Sequence, residues 1–398
     1  MGKCVLCLVV VSVFFGLPLS ATAQEDIKTF LDACVTEKYR GNVEMSLRMA
    51  GPNSANIMSA LKSVPENCRE GASFLAAFMP PEDLRSIPAD LITEHAVYAY
   101  KAVETLPYSK DIPKEYFLHY ILPYRTAQEP AENWRKFFYD ELFERMKTQP
   151  DLKSAALELN RYAGEKVKFQ TNPPRDQSPL ETLKKGFGRC EEEAIFYIAA
   201  ARSAGIPCRL VYVPWWSTCD GNHAWVEVWT GDGWHFLGAC EPADKLDSAW
   251  FVEPAKRAPL VLSSEIYGVP DSASMQDVYE RYDRTAVINC TSSYSKTCAV
   301  KVQVLNTDGS PAPNSIVIYS VYNYGSLRPI AERQTDNNGI AMLNLGMGDF
   351  FVTTGNQSSF AYKIVKTEPD KSVEATLQPV PVAPPDGSFW MRYPLYQK

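Results

Sequence analysis

Gly186-Phe187-Gly188-Arg189-Cys190-Glu191-Glu192 and, further on, Asn222-His223-Ala224-Trp225-Val226-Glu227-Val228-Trp229 decide how this chain folds. The first stretch opens a helix at Cys190. Gly205 and Pro207 are its stop signals. Residues 209–214, 224–229 and 234–239 then read as strands. The last two flank Thr230-Gly231-Asp232-Gly233, a hairpin turn signal. Upstream, Trp134, Phe137, Phe138 and Leu142 form an apolar stripe at helical spacing. Asp151 opens another helix with Leu152, Ala155, Ala156 and Leu159 on one face. Such stripes are core. Helices followed by an antiparallel sheet make an α+β domain.

Chemistry concentrates on two residues. Cys190 stands at a helix N-terminus, where the dipole and free N–H groups favour thiolate and can bind an oxyanion. Glu191, Glu192 and Glu193 act against this, since nearby carboxylates raise a thiol pKa; Arg189 partly offsets them. His223, at a strand start, is the natural proton partner. The alternative is a buried thiol and a core histidine. His95 and His119 read as partly buried or surface residues and His235 as structural, and neither HExxH nor, after residue 23, CxxC occurs, so no metal or cofactor is expected.

The same residues carry a resemblance. Gly188-Arg189-Cys190-Glu191-Glu192, Ala204-Gly205-Ile206-Pro207-Cys208-Arg209, the Asn222–229 run and Gly233-Trp234-His235-Phe236-Leu237 together resemble the transglutaminase-like superfamily, papain-like in fold. Leu237-Gly238-Ala239-Cys240-Glu241-Pro242 is similar to an exported bacterial subgroup. The resemblance implies Cys190 as nucleophile and His223 as general base and acid. It also implies an Asp four residues after Trp234, where this chain has Gly238. Glu241 is the expected replacement, with Asp220 or no carboxylate as alternatives. A two-residue hairpin turn pairs 223 with 240, whereas one extra loop residue pairs 223 with 241 and puts both side chains on one face. Trp215, Trp216 and Trp225 are either walls of a substrate cleft or cover for the hairpin core.

The outer regions follow. Residues 1–23 read as a signal peptide: Lys3, an apolar run over 5–19 broken by Gly16 and Pro18, then Ala21-Thr22-Ala23. This implies a periplasmic or secreted protein without a transmembrane anchor. Residues 24–128 form a helical region punctuated by Pro80, Pro81, Pro107, Pro113 and Pro123; 129–270 form the papain-like domain. Residues 286–378 alternate in a β pattern, with turn signals at Asn306–309 and Asp336–339, and resemble a carboxypeptidase-regulatory or transthyretin-like sandwich that serves as an accessory domain. Residues 379–398 are a Pro-rich tail. Export permits disulfides, and Cys34–Cys68, Cys219–Cys240 and Cys290–Cys298 are candidate pairs.

With 398 residues, 45% hydrophobic and 22% charged, the chain builds real cores. Its net charge of −7 lacks the basic face of a nucleic-acid binder. The expected function is an exported cysteine enzyme that acts on a peptide or protein amide, cell-wall-derived peptides included, by hydrolysis or acyl transfer. The alternative is a catalytically inactive binding protein for peptides or glycans on the same fold.

Overall fold

The structure, a computed structural model, describes residues 21–172, 175–268, 277–356 and 358–381. The expected leader and the Pro-rich tail fall almost wholly outside these residues. Among the described residues no helix is long and apolar enough to cross a membrane.

The helix Cys190–Ser203 is the centre of the molecule. Every residue from Glu192 to Ser203 is buried. A helix apolar on all sides has to be enclosed. This one packs against the helices Ala89–Thr105, Arg135–Met146 and Leu152–Lys166 and against two strands. Its end is fixed by Gly205, which adopts a left-handed φ of 65°, while the Ile206 N–H reaches back to Ala201 O at 2.9 Å. Ser109 Oγ donates to Gly205 O at 3.0 Å, and a Cβ on Gly205 would lie 2.7 Å from that hydroxyl. Gly205→Ala is therefore expected to destabilise the fold by about 1–2 kcal/mol from the backbone alone. A urea midpoint equal to that of the wild type would contradict this.

The sheet beside this helix has four strands in the order Trp234–Leu237, His223–Trp229, Cys208–Val213, Leu262–Ser263, all antiparallel. The hairpin pairs Trp229 with Trp234 and Val226 with Leu237, which is the register of the two-residue turn. The strand stops at Leu237, and Cys240 has a left-handed φ of 59°. Glu241 thus reaches its place from a turn and not from a paired strand position.

The helical region of the N-terminal third does not stand apart. One apolar core runs from Phe30 through Phe138 and Phe196 to Tyr267. Two buried guanidiniums bind its parts together. Arg135 donates to the carbonyls of Ile121, Leu122, Pro123 and Arg202, and Arg202 to those of Tyr120, Pro123 and Arg125. His95 and His119 are buried and bonded to backbone: His95 Nε2 meets Glu132 O at 2.9 Å and His119 Nδ1 meets Tyr267 O at 2.6 Å.

The C-terminal part is a sandwich of a three-stranded and a four-stranded sheet. Alternation along Cys298–Val304 puts Val300, Val302 and Val304 inside. The eight described cysteines are all free. The three candidate disulfides are therefore not present. Cys290 packs into a core beneath the sheet, Cys298 opens a sandwich strand, and Cys240 turns its sulfur to Glu193 O at 3.6 Å.

Candidate active site

Cys190 begins its helix because the preceding residues close the N-terminus. Arg189 is the capping residue, in extended conformation. Glu192, wholly buried, folds back so that its carboxylate accepts from the Arg189 N–H and Nε, both at 3.0 Å. Burial alone would raise the Glu192 pKa, but the Arg189 hydrogen bonds hold it below the usual carboxylate range. Gly188 is required where it stands, because a Cβ there would lie 2.6 Å from the Glu192 side chain.

Cys190 lies by the start of the strand His223–Trp229, near enough to the Ala224 backbone for its N–H to act on the thiol. Burial pushes the Cys190 thiol up; the Ala224 N–H and Arg189 oppose this, and Glu191 and Glu193 add to it. His223 is pushed down to about 4 by burial. Its Nε2 is buried and has no partner among the described residues. Its ring lies between Trp225, Trp250 and Phe251, with centroids 5.8, 4.7 and 4.8 Å away. Burial thus favours the neutral thiol and the neutral imidazole.

Glu241 reaches the same place from the turn after Leu237. A Cβ on Gly238 would overlap Oε2 of Glu241 and lie 2.8 Å from its carboxyl carbon. The Glu241 carboxylate therefore fills the space a side chain at 238 would take. Its Oε1 accepts from Trp250 Nε1 at 3.2 Å, and Trp250 also packs on His223. Trp250 is the link between the two, and no hydrogen bond joins Cys190, His223 and Glu241 directly among the described residues. Asp220 is occupied elsewhere: its Oδ1 accepts from the Tyr324 N–H at 2.7 Å.

Cys190, His223 and Glu241 open into one cleft of about 1170 Å³. Helical-region residues such as Arg125 and Gln128 line one side, and Tyr324 of the sandwich lines another. The three tryptophans expected as its walls are placed differently. Trp216 and Trp225 are buried and stack at 6.3 Å with their planes nearly parallel. Trp215 packs outward on Tyr324 and beneath Arg328. The aromatic lining includes Tyr212, Trp250, Tyr267, Tyr279, Tyr282 and Tyr324. Of these, Trp250 carries a signal in the sequence, since it follows the Glu241-Pro242 turn closely. The tyrosines come from strands and turns far apart in the sequence and carry none. His235 turns away from the site and bonds Asp247 at 2.6 Å. Among the described residues no cluster of His, Cys, Asp and Glu fits a metal ion.

Residues 140–239 match the family model of the transglutaminase-like superfamily, its core domain. Solved structures show weak likeness. A candidate cysteine protease from Cytophaga hutchinsonii is 17% identical with a TM-score of 0.28, over 48% of this chain and 68% of that one. Red sea bream transglutaminase is 10% identical with a TM-score of 0.24, over 74% of this chain and 60% of that one. The minor pilin of Streptococcus agalactiae is 12% identical with a TM-score of 0.19, over 46% of this chain and 86% of that one. Likenesses of this size carry no argument about activity. No curated protein matches the chain.

Proposed function

We propose that this is an exported cysteine enzyme acting on amide bonds, with Cys190 as nucleophile, His223 as general base and acid, and Glu241 as the carboxylate that orients the site. One observation carries the reading. Cys190, at a helix N-terminus, and His223, whose Nε2 is buried and unengaged among the described residues, open into the same large cleft. The leader-like residues 1–23 support export. The substrate is a peptide or protein amide. Sulfur attacks the carbonyl carbon as the thiol proton passes to His223. The C–N bond then breaks, and the same proton goes to the leaving amine. An acyl-thioester remains, which water or an acceptor amine resolves.

Cys190→Ala is expected to abolish turnover. Incubating the wild type and this variant with peptide and protein amides, with and without a primary amine, tests the reading. Equal product from both proteins would overturn it. Burial favours the neutral Cys190–His223 pair, so the imidazole must collect the proton during attack. Below about pH 4 His223 is already protonated and cannot accept. The rate is therefore expected to be lost as pH falls through that value and to show a normal solvent isotope effect above it. A rate that instead rises through neutral pH in step with an ordinary histidine, at about 6.5, would contradict this.

One set of observations favours a non-catalytic binding protein. The thiol is pushed up, the imidazole is pushed down, and no hydrogen bond joins the three residues. Retained capture of a peptide by a protein that turns over nothing would establish that second reading.

A further inference from the structure

Glu193 lies one helical turn beyond Cys190, on the same side of the helix. It is 4% exposed and lines the cleft. Its carboxyl makes no hydrogen bond or ion pair among the described residues. That is uncommon, because a buried carboxyl without partners is costly. Four neighbouring acids in the cleft do have partners, and Glu82 is exposed to water. Glu241 accepts from Trp250, Asp220 from the Tyr324 N–H, Glu265 from Thr285 Oγ1 and Glu191 from Arg189. The cleft holds six carboxylates, those of Glu82, Glu191, Glu193, Asp220, Glu241 and Glu265. Its two guanidiniums are already engaged, Arg125 with Asp83 and Arg189 with Glu191 and Glu192. The cavity is therefore negative, and the buried acid beside the nucleophile has no ion-paired counter-charge among the described residues, Lys168 acting on it without pairing with it.

We propose that Glu193, together with Glu241, is a subsite for a cationic amine of the substrate, placed one helical turn from Cys190. This deepens the reading of the cleft as a substrate site and rests on it. The ammonium supplies the donors that Glu193 lacks. It also relieves the repulsion between the two carboxyls. An ammonium arises on a lysine-like side chain or on a free peptide N-terminus, and both have this chemistry. In the free protein the groups facing Glu193 are Glu192 and Cys190 on its own helix, Cys240 and Glu241 on the turn, and Lys168. Burial first, then Glu241 and Glu192, push Glu193 up to about 8, against Lys168. At neutral pH it keeps its proton until a cation displaces it.

The test is calorimetric binding of three small amides to the full chain. Nα-acetyl-lysine amide carries only the side-chain ammonium, norleucine amide only the α-ammonium, and Nα-acetyl-norleucine amide neither. At least one cationic amide is expected to bind more tightly than the neutral one, and the arm that does so identifies the source of the charge. Its affinity is expected to rise with pH about tenfold per unit up to about 8. Heat of binding is expected to depend on the buffer, because a proton is released. Glu193→Gln is expected to weaken cation binding about tenfold or more and to remove the pH dependence. This substitution keeps the shape and removes a buried acid, so its unfolding midpoint should equal or exceed that of the wild type. Glu241→Gln gives an independent reading of the same site. The proposal is overturned if charged and neutral amides bind alike, if none binds measurably, or if Glu193→Gln leaves cation affinity unchanged. A cation preference in a protein that turns over nothing leaves the subsite standing and removes only the enzymatic reading.

Discussion

Glu241→Gln is expected to lower turnover by about 10²–10⁴-fold, and Gly238→Asp is expected to restore much of it in a Glu241→Ala background. The expectation rests on one volume being shared by two positions. Position 238 directly follows the strand Trp234–Leu237 and has no side chain. The carboxylate of Glu241 turns back over it, so that a Cβ there would sit 2.8 Å from the carboxyl carbon. An acid is thus delivered to the same place by a residue three positions later. Gly238→Ala alone should push the carboxylate off Trp250 and cost activity although no charge is lost. Removing the Glu241 side chain vacates the space, and an Asp at 238 can then reach it. Asp220→Asn is the control. Its oxygen is committed to the Tyr324 N–H, a bond that an amide oxygen can also accept, so turnover should hold. If Asp220→Asn inactivates and Glu241→Gln does not, the assignment of the acid is wrong.

Why this was only half legible in the sequence is a matter of register. The turn residues Thr230–233 indicate a hairpin, and the two-residue register is the one that forms. That register alone puts Glu241 out of line with His223. The left-handed turn at Cys240 supplies what strand pairing cannot, and nothing in the side chain of Cys240 announces a φ of 59°. Cys190 was readable because helix starts have local grammar: glycines, a capping residue and an acidic first turn. The tryptophans were not. Alternation along His223–Trp229 tells which residues share a face, but not which face meets the core. Trp225 shares its face with His223 yet points into the packing behind it, whereas Trp250, on a loop, closes the site. Glu193 looked like one of three equivalent helix-start acids. Only the enclosing structure separates it from Glu192, which Arg189 neutralises.

The sandwich should prove indispensable to a reaction in which it supplies no reacting group. The loop between Val213 and His223 is held from the far end of the chain by Asn323. Its Nδ2 donates to Trp216 O at 2.8 Å, Cys219 O at 2.9 Å and Gly221 O at 3.2 Å, and its Oδ1 accepts from the Gly221 N–H at 3.1 Å. Asn323 is wholly buried, and its bond to Trp216 O is buried with it. Asn323→Ala takes the partner from Trp216 O, Cys219 O and the Gly221 N–H, while Gly221 O keeps the Trp216 N–H, and each buried orphan costs about 1–3 kcal/mol unless the loop opens to water. Opening is the cheaper outcome, because Cys219 and Asp220 are already close to the surface. His223 begins the strand right after the loop, so opening moves the imidazole away from Cys190. A displacement of about 1 Å is enough to lower turnover about 10²-fold. Alkylation of Cys219 should accelerate in parallel as the loop loosens, while the sandwich core beneath it remains folded. Unchanged turnover with fast Cys219 labelling would separate loop order from catalysis and show that the sandwich is a passenger. Slow turnover with Cys219 still protected would mean that Asn323 acts on the cleft by some route other than the loop it holds.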